Sequence, residues 1–235
     1  MKPLLALLAI TTLSTPAGYA PTSQPPSPRD VVIETSDGGR LAATYYDPGR
    51  SGPAIVIFRN CDQQRSSVDG FARKLATRGL HVATYDYRGG SPPAGKSWKA
   101  WRDDDASDVF RWLSAQPRVQ GDRVVAVGGS CGSTMALNFA ANHLRQTRGI
   151  ALLSIGPPDS AMKAFLARTP TLPILGGGST ADNSAPNLDA LVKSSQNAES
   201  RLIVVPTGHG TEMLKESLDF ERAVIDWIAA RLLIA

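Results

Sequence analysis

The stretch Val124-Val125-Ala126-Val127-Gly128-Gly129-Ser130-Cys131-Gly132-Ser133-Thr134-Met135-Ala136-Leu137 decides how the chain folds. Its first four residues are small or β-branched and apolar, which predicts a buried strand, and the residues from Ser133 onward predict a helix. Between them stands G-x-S-x-G, centred on Ser130. A strand-to-helix turn this tight leaves no room for side chains at Gly128 and Gly132, and it lifts the Ser130 hydroxyl clear of the backbone. The helix N-terminus beneath it favours negative charge developing there. A dinucleotide-binding turn requires a different glycine spacing, and a phosphate-binding loop requires a lysine that is absent. Ser130 therefore reads as a nucleophile.

Working outward, short apolar runs alternate with helical periodicity: Ala54 to Phe58, His81 to Tyr85, Val124 to Val127, Ile150 to Ile155, Leu172 to Leu175 and Leu202 to Val205. Helices are predicted at 66 to 78, 98 to 115, 131 to 145, 187 to 195 and 213 to 233. Continuous apolar strands separated by helices imply a parallel sheet covered on both faces. Ahead of them, Val31-Val32-Ile33 and Leu41 to Tyr46 flank Asp37-Gly38-Gly39 and read as an antiparallel hairpin. The prediction is an α/β fold with a mostly parallel eight-stranded sheet. Only residues 156 to 171 separate the sixth and seventh strands, too few for a large cap over the site.

In such sheets the ligand site lies beyond the carboxyl ends of the strands. A serine hydroxyl needs a base, and histidine is the usual one at neutral pH. The sequence has three: His81 opens a strand at the opposite end, His143 lies far along the helix after Ser130, and His209 stands in Gly208-His209-Gly210 just beyond the last strand. His209 is the predicted base. The chain order serine, acid, histidine then leaves Asp159, Asp182, Asp189 and Glu199 as candidates for the carboxylate. Asp182 follows the strand before the one that delivers His209 and is preferred, with Asp159 as its rival.

These residues, with Leu75-Ala76-Thr77-Arg78-Gly79-Leu80-His81-Val82, Tyr85-Asp86-Tyr87-Arg88-Gly89-Gly90-Ser91 and Thr207-Gly208-His209-Gly210-Thr211-Glu212-Met213, resemble the α/β-hydrolase superfamily, and within it small serine esterases and peptidases similar to dienelactone hydrolases. The resemblance runs from about Val31 to the C-terminus. It implies a Ser130-His209-Asp182 triad that cleaves a carboxylic ester or related acyl bond through an acyl-enzyme, without cofactor or metal. Peptidase or thioesterase action would use the same triad, and a catalytically silent hydrolase-like binding protein is the alternative outside catalysis. Members of the superfamily commonly carry His-Gly after the third strand, where this chain has Arg59-Asn60. The resemblance places oxyanion-holding backbone amides at Cys61 and Cys131, on loops that lie side by side, so a Cys61–Cys131 disulfide is also expected. Dienelactone hydrolases use a cysteine nucleophile in this motif, but a window centred on Cys131 closes on Ser133 instead of glycine. Arg59, Asn60, Arg88, Trp98 and Trp101 are candidates to contact substrate.

The 235 residues carry 25 Lys+Arg against 21 Asp+Glu and 42% hydrophobic residues, which suits one folded domain and excludes both disorder and a multi-span membrane protein. The positive charge is dispersed, so nucleic-acid binding has no footprint. Residues 1 to 20 read as a secretory signal peptide ending Ala17-Gly18-Tyr19-Ala20, residues 21 to 29 as a proline-rich linker, and 30 to 235 as a single domain that resembles the α/β-hydrolases. An exported chain, periplasmic or secreted, is expected to have no membrane span once the signal is removed. A small-molecule ester or acyl compound is the expected partner; oligomeric state has no signature.

Overall fold

The structure, a computed structural model, describes residues 27–233. The proposed signal peptide and all but the end of the linker lie outside these residues. The strands are β1 (Arg29–Glu34), β2 (Arg40–Tyr46), β3 (Gly52–Phe58), β4 (His81–Tyr85), β5 (Val119–Gly129), β6 (Thr147–Leu153), β7 (Ile174–Ser179) and β8 (Arg201–Val205). The helices are α1 (Asp69–Thr77), α2 (Trp98–Ser114), α3 (Cys131–Asn142), α4 (Ser160–Ala167), α5 (Ala185–Ser194), α6 (Met213–Glu216) and α7 (Leu218–Leu232). One sheet runs in the order β1-β2-β4-β3-β5-β6-β7-β8, antiparallel at β1–β2 and β2–β4 and parallel from β4 onward.

Period-two alternation divides the strand residues between two cores. Val56 and Phe58, with Ala126, pack beneath Val109, Phe110 and Phe139 of α2 and α3. Ile55, Ile57 and Val127 face the other way, against Leu75 of α1 and Val224 and Ile228 of α7. A sheet buried on both faces explains why its central strands read as unbroken apolar runs. None of the described helices is long and apolar enough to cross a membrane.

Besides β6, which runs Thr147–Leu153 and so ends before Ser154, four elements depart from the expectation. β5 starts at Val119, five residues early, and its pairing with β3 shifts register between Pro53 and Ala54. β7 runs to Ser179, so Gly176-Gly177-Gly178 lie within a strand instead of a loop; a Cβ on Gly177 would stand 2.5 Å from the Phe220 ring, and bare backbone lets α7 approach. The connector after β6 contains the two-turn helix α4, capped by the Asp159 side chain, which accepts from the Met162 N–H at 2.8 Å. The predicted C-terminal helix is broken at Ser217, which is extended and caps α7 through Phe220 N–H at 3.2 Å.

Candidate active site

Ser130 joins β5 to α3 with φ 55° and ψ −121°. Its N–H donates to Leu153 O at 2.8 Å, which holds the turn on the end of β6. Glycine is required on both sides by close approach: a Cβ on Gly128 would lie 2.3 Å from Gly132 O, and one on Gly132 would lie 2.2 Å from Phe58 O. Only a chain without those side chains can bring β3, β5 and α3 together beneath the hydroxyl.

His209 follows β8, with Nε2 2.7 Å from Ser130 Oγ and Nδ1 2.7 Å from Asp182 Oδ2. The carboxylate accepts from Nδ1–H, which leaves Nε2 as the acceptor for the serine hydroxyl. Asp182 follows β7 by three residues. Burial alone would push its carboxyl up; hydrogen bonds from Ser184, Ser154 and His209 outweigh that and hold it below the ordinary carboxylate range. Asp159 is occupied as the α4 cap and takes no part. His81 is buried between Tyr45 Oη and Arg50 O, and His143 meets Ser107 Oγ at 3.0 Å.

Ser154, unmarked in the sequence because the apolar run was read through to Ile155, closes this side of the site. It is fully buried; its hydroxyl donates to Asp182 Oδ2 at 2.7 Å and accepts from Gly210 N–H at 2.9 Å. Ser130, Ser154 and Asn183 are three of the four non-glycine residues with positive φ among the described residues. Strain of this kind collects at functional sites.

Cys61 and Cys131 are joined by a disulfide with Cα atoms 5.9 Å apart. The bond links loops 70 residues apart in sequence, a separation whose closure entropy corresponds to about 4 kcal/mol. Cys131 opens α3, so no preceding turn claims its N–H, and the Cys61 N–H makes no hydrogen bond among the described residues. A cavity of about 350 Å³ opens over the serine and histidine. Cys131, Thr134, Ile155, Pro157, Asp182 and Asn187 are among the other residues that line it, and among the described residues no lysine or arginine does.

The five candidates for substrate contact are absent from that lining. Arg59 is buried, stacks on the Tyr87 ring at 4.1 Å and donates to Asn60 O at 2.9 Å, beside Asp86. Asn60 is buried against the histidine loop. Arg88 is held bidentately by Asp37 and paired with Asp105, lying over the Trp101 ring at 4.4 Å. Trp101 is buried with its indole N–H on Asp37 at 3.0 Å. Trp98 is 48% exposed and leans on Trp101. Asn60, Arg88 and Trp101 turn their polar atoms to protein partners, and none of the five candidates reaches the cavity.

Residues 52–208 match the family of proteins with the alpha/beta hydrolase fold. The chain is 33% identical over 162 residues to an uncharacterized protein of Mycobacterium tuberculosis, an alignment covering 67% of this chain and 56% of that one, so the chain spans about half the length of the curated relatives it matches. Among solved structures it resembles an esterase of Pyrococcus furiosus, with TM-score 0.68, 15% identity, and 87% and 92% of the two chains covered. The esterase domain of a Rhodothermus marinus protein gives TM-score 0.67 at 18% identity, covering 88% of this chain and 100% of that one. A dienelactone hydrolase-like promiscuous phosphotriesterase from metagenomic libraries gives TM-score 0.67 at 17% identity, with 88% and 100% covered. Family match and architecture agree with the turn around Ser130: the chain belongs to the alpha/beta hydrolase fold family.

Proposed function

We propose that the protein is a serine hydrolase that cleaves small carboxylic esters or related acyl bonds. The observation that carries this is the continuous hydrogen-bonded line Ser130 Oγ, His209 Nε2 and Nδ1, Asp182 Oδ2, with both contacts at 2.7 Å. Ser130 Oγ attacks the acyl carbon as its proton passes to His209 Nε2. Asp182 stabilises the imidazolium through Nδ1–H without taking its proton. The carbonyl oxygen becomes an oxyanion, for which the unclaimed N–H groups of Cys61 and Cys131 are the donors in this reading. His209 then protonates the departing alcohol, leaving Ser130 acylated. Water enters, gives a proton to His209 and attacks the acyl carbon, and the acid departs as Ser130 recovers its proton.

The site lining supports a substrate without its own carboxylate, since no cation faces the cavity and the nearby Arg59 and Arg88 are committed to Asp86, Asp37 and Asp105. The disulfide supports an oxidising compartment as the working location. The deciding experiment is treatment with a fluorophosphonate, mapping of the modified peptide, and a rate screen over short-chain esters, thioesters and peptides. Labelling at Ser130 with ester turnover is expected; an unlabelled Ser130 in folded protein overturns the assignment.

A further inference from the structure

His209 sits between Gly208 and Gly210, both at positive φ, 91° and 58°. Glycines on both sides give the base loop little stiffness of its own. Its rigidity must come from outside, and a buried side chain supplies it. Asn60, one residue before Cys61 and 1% exposed, accepts at Oδ1 from Thr211 N–H at 3.0 Å and donates from Nδ2 to His209 O at 3.2 Å. The amide orientation is forced, because turning it over would set NH2 against an N–H and oxygen against a carbonyl.

The slot is cut to this side chain. A Cβ on Gly129 would lie 2.4 Å from Asn60 Oδ1, and a Cβ on Gly210 would lie 2.2 Å from it. The same amide thus fills the gap between the residue before the serine and the residue after the histidine, while its backbone leads directly into Cys61. Arg59 Nη1 and Gln63 N–H both donate to Asn60 O, at 2.9 and 3.3 Å, so the Asn60 backbone is itself pinned.

We propose that Asn60 is a positioning residue of the reaction, the strut that holds the histidine loop at a fixed offset from the serine turn and the Cys61 loop. The inference rests on the serine-hydrolase reading. It predicts a defect in the chemical step, with substrate binding left intact, because Asn60 lies outside the cavity lining. Misplacing a catalytic group by about 1 Å costs on the order of a hundredfold in rate.

The test compares wild type, Asn60→Ala and Asn60→Asp for kcat and KM on a short-chain ester, for the rate of Ser130 phosphonylation, and for folding by circular dichroism and melting temperature. Asn60→Ala removes the contacts to His209 O and Thr211 N–H and the one from Thr211 Oγ1 to Asn60 Oδ1 at 3.2 Å, and its kcat per folded molecule is expected to fall about a hundredfold with KM within threefold of wild type. Asn60→Asp keeps the slot filled and the Thr211 contact while losing the donor to His209 O, and an approximately tenfold fall is expected. Phosphonylation slows in parallel in both. If Asn60→Ala does not fold, Asn60→Asp decides alone. Folded variants with kcat within threefold of wild type, or with the loss confined to KM, overturn the proposal. Wild type that fails to phosphonylate at Ser130 overturns the hydrolase reading itself, and the proposal with it.

Discussion

Two polar clusters sit on the site side of the same sheet and differ in one respect. Around Arg88, every charge is matched within the protein: Asp37 accepts two guanidinium N–H groups at 3.0 and 3.1 Å and the Trp101 indole at 3.0 Å, and Asp105 takes the remaining side. Around Ser130, hydrogen bonds run in from Ser184, Ser154 and Asp182 and then stop, because the serine hydroxyl has the His209 ring as its hydrogen-bond partner and that ring is 47% exposed. A closed cluster ties the β1–β2 turn to α2. An open one leaves the Ser130 hydroxyl and the His209 ring facing a cavity. Charge density alone does not separate structural from chemical residues; an unfinished network does.

The contrast is broken most severely by Ser130→Ala, which should lower kcat at least 10⁴-fold in a steady-state ester assay while the melting temperature stays near wild type. Asp182→Asn comes next, with an expected loss of about 10³- to 10⁴-fold, since an amide no longer fixes the imidazole tautomer. Arg88→Ala tests the closed cluster and should invert the pattern. Asp105 is left as a buried carboxylate without its cation, so denaturant unfolding should show a loss of about 3 kcal/mol, with kcat per folded molecule within about threefold.

The smallest effect is a pH dependence of stability. Because the Asp182 carboxyl is held below its ordinary range, its ionised form contributes stability that is complete above the unfolded value near 3.9 and is lost as pH falls through the lower folded value. Asp182→Asn should therefore be less stable than wild type at pH 7, and the gap in denaturant midpoint should close as the solution is acidified below the carboxylate range. Asp105 works in the opposite direction: burial raises its carboxyl despite Arg88, so its contribution grows as pH falls.

That Ser130, Asp182 and His209 meet in one hydrogen-bonded line was legible in the sequence because each is announced by position: a glycine-spaced turn, a strand end and chain order. The alternating apolar runs likewise exposed the sheet. Direction of projection was not legible. Arg59, Arg88 and Trp101 belong to strand ends or a helix start near the site, and sequence placed them there, but whether a guanidinium faces a cavity or an aspartate is settled by partners distant in the chain, such as Asp37 for Arg88. β7 was misplaced because glycines usually weaken strands, and the compensating neighbour, Phe220, lies 43 residues beyond Gly177 in the numbering. Ser154 was missed by the misreading of one strand end, since an apolar run bounded by Ile155 hides a serine whose hydroxyl turns back under Asp182.

The left-handed backbone at Ser130, Ser154 and Asn183 has a bearing on descent. Each costs of order 1 kcal/mol or more relative to a relaxed residue, least at the asparagine, and glycine would adopt the same angles freely. At position 154 the buried hydroxyl satisfies Gly210 N–H and Asp182, which gives the fold its own reason to keep a serine there; at position 130 the hydroxyl meets the His209 ring, and in the proposed function turnover is what retains it. If the proposed reaction were lost in a lineage, drift toward glycine at position 130 would be favoured by stability itself, and that replacement beside a retained Ser154 would mark a descendant that keeps the fold after abandoning the reaction.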